Sequence, residues 1–128
     1  MKYTLSAVLT VAVGLLMITG TVFAHHGRSN YDSDNPIDLK GAVTEVEWVN
    51  PHIQIHVDAK DDKGNVQNWV AEGNSPNTLA RQGWNRNTVK VGDVVTIHGG
   101  RRKDGAPSMI FNKITLPNGK AMTAQIVN

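Results

Sequence analysis

The chain has 128 residues and contains no cysteine, so disulfides, thiolate metal sites and cysteine nucleophiles are excluded. No serine lies in a Gly-x-Ser-x-Gly turn, and no glycine-rich loop opens a helix, because Gly99 and Gly100 lead into a basic stretch. Nucleophilic catalysis and phosphate cradling therefore have no support in the sequence. We predict a protein that is not an enzyme and that draws its stability from a packed core or a bound partner.

The first 24 residues have the pattern of a secretory signal peptide. Lys2 gives a positive start, residues 5–18 are mostly apolar, and Val22-Phe23-Ala24 offers small residues three and one positions before a cut. An uncleaved membrane anchor is the alternative, but the apolar run is shorter than the ~20 residues of a spanning helix. We expect cleavage after Ala24, a periplasmic or secreted protein, and no membrane span once the signal is removed.

Removal of residues 1–24 leaves a chain whose charge is nearly balanced. Lys2 is lost, so 12 of the 13 Lys and Arg residues remain, against all 11 Asp and Glu. The remaining length suits one small domain. Balanced charge and export both argue against nucleic acid as a partner.

A β-hairpin is predicted over residues 41–58, and the rest of the domain is organised around it. Residues 53–58 alternate between apolar and polar, which is the period of a half-buried strand. An Asn-Pro pair interrupts the pattern and places His52 at the hairpin tip. Pairing the two strands about this tip puts Glu45 opposite His56 on the polar face, where we expect an exposed ion pair.

The other segments complete an all-β prediction. Residues 25–38 are polar and turn-rich, and we expect an extended N-terminal arm there. Residues 39–128 are predicted to form the folded domain. Strands are expected over residues 39–48, with a possible bulge at Gly41, and over 53–59, 66–72, 109–116 and 121–127, with a further strand after a turn at Gly92-Asp93.

A short helix is predicted between the third and fourth strands. Ser75 would be its N-cap, Pro76 its first residue and Gly83 the residue just beyond its end. A left-handed Gly83 would let Trp84 fold back on Leu79. Three strands, a short helix and then two strands resemble an OB-fold, a small antiparallel β-barrel of five to six strands. A simple antiparallel barrel or a sandwich of the same strands is the competing prediction.

Short motifs spread along the chain resemble one family. They are Ala24-His25-His26, residues 41–48 (GAVTEVEW), Asn50-Pro51-His52, Trp69, Glu72-Gly73, Ser75-Pro76-Asn77, Gly83-Trp84, Gly92-Asp93-Val94-Val95 and Leu116-Pro117-Asn118-Gly119. Together they resemble DUF6152, a group of small exported bacterial proteins of unknown function, over essentially the whole mature chain. The family pattern has His-His-Ser at its start, whereas Gly27 takes the third place here. The resemblance implies export and a small β-rich fold, and it transfers no activity.

Cleavage after Ala24 would make His25 the first residue of the mature protein and a candidate copper ligand. The α-amine and Nδ1 of a terminal histidine can chelate one metal ion, and a further imidazole completes the three-nitrogen set called a histidine brace, which suits Cu(II). We predict His52 or His26 as the third ligand, with His98 as a further candidate. The alternative is a solvated tail with adventitious metal affinity. We expect binding rather than copper oxygenation, because no substrate surface is evident.

A second candidate site lies on two loops. In OB barrels the loop between strands 1 and 2 and the loop between strands 4 and 5 flank the binding face. These loops fall at residues 49–52 and 99–108 and carry Asn50, His52, Arg101, Arg102 and Lys103. Their donors and positive charge suit a small anionic ligand or a periplasmic protein partner. The alternative interpretation is that the basic residues only keep an exposed hairpin soluble.

Overall fold

The computed structural model describes residues 27–124, so the predicted signal peptide and the histidines His25 and His26 lie outside the described residues. Six strands and a short helix follow one another in this part of the chain. They are β1 Ile37–Glu47, β2 Gln54–Lys60, β3 Val66–Glu72, α1 Pro76–Arg81, β4 Val94–Arg101, β5 Ser108–Thr115 and β6 Ala121–Thr123. Among residues 27–124, no helix has the length and apolar character needed to cross a membrane.

The strands close into a barrel. Their order is β3-β2-β1-β4-β5-β6, and an additional pairing of β3 with β5 joins the ends of the five-stranded part, leaving β6 as an extension of β5. The β3–β5 pairing is parallel, whereas the other pairings are antiparallel. Closure in this order, with α1 between β3 and β4, confirms the predicted small OB-like all-β barrel and rules out the sandwich.

A bulge in β1 decides which side chains of that strand face the core. The register with β2 shifts between Val43 and Glu45, so Thr44 is the extra residue, and Val43 is buried on one side of it while Val46 packs on the core from the other. The bulge predicted at Gly41 is therefore misplaced. Gly41 serves a different purpose, because a Cβ there would lie 2.7 Å from the backbone oxygen of Asp58 on β2.

The helix and its caps agree with the sequence prediction. The Ser75 side chain accepts a hydrogen bond from the backbone N–H of Thr78 at the N-terminus. At the C-terminus Gly83 has φ +87°, and the N–H of Trp84 donates to the carbonyl of Leu79 at 3.0 Å, which confirms the Schellman arrangement. Leu79 and Trp84 are both buried in the barrel core, so this short helix is held by packing.

The N-terminal arm docks on the loop that follows β4. It is not extended throughout, since residues 27–29 are helical, and Tyr31 then forms an isolated β-bridge with Arg102. Lys103 donates two hydrogen bonds to backbone carbonyls of the arm. Its backbone N–H bonds to Asn30, and its Nζ bonds to Ser29 at 2.9 Å. The arm thereby crosses one end of the barrel, and β1 begins two residues before the predicted domain boundary.

Candidate functional site

His52 lies at the hairpin tip between β1 and β2, and the contacts of the next residue, Ile53, hold its backbone in place. The preceding Asn50-Pro51 bond is cis. Ile53 is buried, its N–H donates to the carbonyl of Asn74 at 3.1 Å, and its own carbonyl accepts from Gly73 at 3.0 Å. Because the residue after His52 is anchored in the core and bonded on both sides, the imidazole is presented from a rigid position.

His52 is paired with a carboxylate. Its Nδ1 lies 2.6 Å from Oε1 of Glu72, and the two side chains are 40% and 33% exposed. Nδ1 therefore faces the carboxylate, and Nε2 is the ring nitrogen that Glu72 does not engage. The ion pairs among residues 27–124 include no second contact of this ring. Metal-binding histidines usually turn the nitrogen that does not bind the metal to a carboxylate, a carbonyl or water, and His52 has a carboxylate in that place.

The arm, the hairpin tip and the loop after β4 enclose a cleft of about 220 Å³, which we call the arm cleft. It is lined by Gly27, Arg28, Asn30, Tyr31, His52, Glu72, Arg102 and Ile110. His52 and Gly27 thus share one cavity, although 24 residues separate them in the sequence. The docked arm brings the first described residue of the chain to the His52–Glu72 pair.

The charges of the arm cleft are only partly compensated. Arg102 is bound to Asp104, with Nη2 and Oδ2 2.6 Å apart, and these hydrogen bonds raise the pKa of the guanidinium and lower the pKa of the carboxyl. Glu72 faces His52. Arg28, by contrast, has no carboxylate within ion-pair distance in the described part of the chain. Among residues 27–124, the cleft therefore offers one cation without an ion-pair partner, Arg28, beside an imidazole.

The remaining loop residues predicted from the sequence lie elsewhere. Asn50 is exposed at the hairpin tip, Arg101 is exposed at the end of β4, and Lys103 is bonded to the arm, so none of them lines the arm cleft. Of the five residues named for the anionic-ligand site, the structure brings together His52 and Arg102. Sequence reasoning missed the lining residues Arg28, Tyr31 and Glu72.

The other two described histidines also carry a carboxylate but stand away from the arm cleft. His98 Nδ1 lies 2.7 Å from Oδ1 of Asp38 on the neighbouring strand, so this candidate third ligand is not brought to the cleft. His56 lies opposite Glu45, as the hairpin register predicts. Its hydrogen bond, however, joins Nε2 to Oε1 of Glu47 at 3.0 Å, two residues further along β1.

Comparison with known proteins gives a family without an assigned activity. The family model that matches the chain is described as a family of unknown function, DUF6152, and it covers residues 12–111. No curated protein matches the chain. Because the match covers most of the 128 residues, the chain belongs to the DUF6152 family, as its motifs indicate.

Proposed function

We propose that this member of the DUF6152 family is an exported, periplasmic binding protein without enzymatic activity that holds Cu(II) in the arm cleft. The α-amine and Nδ1 of His25 would supply two nitrogens, and Nε2 of His52 would supply the third. The observation that carries the proposal is that Gly27, two residues after His25, lines the same cleft as His52.

The reach of the chain is sufficient for this ligand set. Two residues span at most about 7 Å, so a mature terminus at residue 25 stays close to the arm cleft once Gly27 is placed. The proposal requires cleavage after Ala24, because only a free α-amine completes the chelate. His26 is the alternative third ligand and would form the site from the tail alone, without His52.

The immediate surroundings of His52 favour a metal more than those of an ordinary surface histidine. The Oε1 of Glu72 lies 2.6 Å from Nδ1, so Nε2 is the nitrogen that would face a metal. Two imidazoles and an amine are nitrogen ligands of the kind that Cu(II) prefers, and Cu(II) stands highest among the divalent first-row ions in affinity. Arg28 opposes a bare cation in the cleft. An anionic fourth ligand beside Arg28 would offset the positive charges of this side chain and of the copper.

The test is a Cu(II) titration of protein purified after export, with the terminus checked by intact mass. It is compared with a version that carries one added residue before His25, with His52→Gln and with the control His98→Gln. We expect one-to-one binding that is weakened at least about tenfold by the added residue and by His52→Gln, while His98→Gln matches the unmodified protein. Loss with the added residue but not with His52→Gln would assign the third ligand to His26. Equal, weak binding by every version would refute a copper site.

A second candidate function is favoured by the uncompensated charge of Arg28 beside Arg102. These cations suit a small anion, or an acidic group of a periplasmic protein partner, as the two-loop hypothesis predicts. Inorganic phosphate is the simplest probe. If this function is correct, Arg28→Gln weakens phosphate binding, the exposed control Arg86→Gln leaves it unchanged, and an added residue before His25 has no effect.

A further inference from the structure

Three metal-ligating side chains converge on the outer face of the β1–β2 pair, away from the arm cleft. They are Glu45, Glu47 and His56, and one ligand atom from each lies within 4.8 Å of the others. It is the one group of this kind among residues 27–124. From this arrangement we infer a second metal site, for Zn(II), whose protein ligands are the two carboxylates and the imidazole.

The geometry is set by strands, so the ligands come from rigid positions. The bulge at Thr44 puts Glu45 and Glu47 on the outer face together, and His56 pairs directly across from Glu45. Residues that face each other on neighbouring strands have Cβ atoms about 4.5–5.5 Å apart, and diagonal neighbours remain within reach of long side chains. On its other side His56 pairs with Val70 of β3, so the imidazole lies between two strands and is only 20% exposed.

The separations are close to those of one coordination sphere. With zinc bonds of about 2.0–2.2 Å, tetrahedral ligand atoms lie about 3.4 Å apart. The 3.0 Å between His56 and Glu47 is near this value, and the widest pair must close by no more than about 1.4 Å. Glu45 is exposed, so rotation of its side chain is enough.

The charge of the cluster also favours a cation. In the part of the chain that the structure describes, one ion pair within 4.0 Å involves a lysine or arginine, and it joins Arg102 to Asp104. No described lysine or arginine therefore forms an ion pair with Glu45 or Glu47. The Glu45 side chain is exposed and takes part in none of the four ion pairs among residues 27–124, which leaves its carboxylate available. The carboxylates of Glu45 and Glu47 repel each other, and a bound cation would relieve that repulsion.

The mixed donor set identifies the class of ion. Zinc accepts nitrogen and carboxylate ligands together and is often held by three protein side chains with an open fourth position, whereas calcium and magnesium prefer oxygen ligands alone. The inferred ion is therefore Zn(II). The site shares no residue with the arm cleft, so it can exist whether or not the copper proposal is correct.

Calorimetric titration with Zn(II) tests the inference on the exported protein with one added residue before His25, in which the terminal chelate is disabled. We expect one-to-one binding in the parent. Each of three variants, Glu45→Gln, Glu47→Gln and His56→Gln, should weaken it by more than the 10- to 100-fold that is typical when a residue hydrogen-bonded to a metal ligand is lost. His98→Gln is the matched control, since His98 has a carboxylate partner but no place in the cluster, and its affinity should equal that of the parent.

Two further readouts make the result decisive. Zn(II) should shift the imidazole resonances of His56 and leave those of His98 in place, and Mg(II) should not compete. The inference is wrong if Glu45→Gln binds Zn(II) like its parent. It is equally wrong if Zn(II) binds only to the protein with a free His25, because the ion would then sit at the terminus.

Discussion

Replacement of Glu72 by Gln separates a metal-supporting role of this residue from a structural one. The Oε1 of Glu72 lies 2.6 Å from Nδ1 of His52. Glutamine keeps the shape and one acceptor oxygen but removes the negative charge and adds an N–H group that can point at the ring. The imidazole would lose the adjacent negative charge and its fixed orientation, both of which matter to a bound metal and little to the fold.

The expected magnitudes differ for the two properties. Loss of a carboxylate that contacts a metal-binding histidine lowers the metal affinity about 10- to 100-fold, or by roughly 1.4–2.7 kcal/mol. The free energy of unfolding should change by less than about 1 kcal/mol, because side chains that are 40% and 33% exposed form a solvent-screened pair. Copper affinity should therefore fall by more free energy than stability does.

The assay is a competition titration with Cu(II) beside urea unfolding of the same samples. Asp38→Asn is the matched control, because it removes the carboxylate 2.7 Å from His98 and leaves the arm cleft untouched. We expect Glu72→Gln to weaken copper binding and Asp38→Asn to leave it unchanged, with both variants near the stability of the parent. Equal copper affinities in the two variants, or a loss of several kcal/mol in the unfolding of Glu72→Gln, would refute the assigned role.

Two further predictions concern the scaffold. Gly99→Ala would place a Cβ against the carbonyl oxygen of Ile110 and 2.7 Å from Phe111 Cα, so urea unfolding should show a loss of stability of about 3 kcal/mol or more. The control Gly27→Ala has open space around its Cβ and should change the free energy of unfolding by no more than about 0.5 kcal/mol. An equally small loss in Gly99→Ala would contradict the close β4–β5 packing. Lys103→Met removes the hydrogen bond to the Ser29 carbonyl and should loosen the arm, which should weaken Cu(II) binding by up to about 5-fold. The exposed control Lys63→Met should leave the Cu(II) affinity unchanged. An undiminished affinity in Lys103→Met would show that this bond does not hold the arm in place.

The fold could be predicted because each element carries its own local signal. The strand predicted over residues 66–72 has those bounds in the structure, and the caps of α1 follow from Ser75 and Gly83. The bulge could not be placed in the same way, since alternation on both sides of Thr44 is compatible with a break at any of several residues. Only pairing with β2 fixes it, and that is a tertiary constraint.

The candidate site was predictable in part, and for a topological reason. The OB order of strands brings the tip after β1 and the loop after β4 to one end of the barrel, and His52 and Arg102 do line one cleft. Glu72 was within reach of the same reasoning. The turn between β2 and β3 sets a register in which Gln54 pairs with Glu72, next to the hairpin tip.

The arm was not predictable from its own residues. Its position depends on backbone hydrogen bonds, such as that from Lys103 N–H to the carbonyl of Asn30 at 2.9 Å, and any side chain at those positions permits them. Arg28 reaches the cleft only because the arm is docked, so its identity carries no signal. Tyr31 does carry one, because an aromatic residue in a polar arm is expected to tie it down, and its hydroxyl lies 3.2 Å from Oγ of Ser108. The same docking places Gly27 in the arm cleft, which is what makes His25 and His26 candidate ligands there.

The three described histidines show why pairing with a carboxylate is not by itself a sign of metal binding. Each has such a partner at 2.6–3.0 Å, so the pairing alone does not distinguish among them. What differs is the supply of further ligands: His56 has a second carboxylate within 4.8 Å, and His52 shares a cavity with Gly27, the residue that follows His25 and His26. His98 has neither. A closed barrel can bind a metal ion only at its ends or on its outer face. His52 lies at one end, and His56 lies on the outer face.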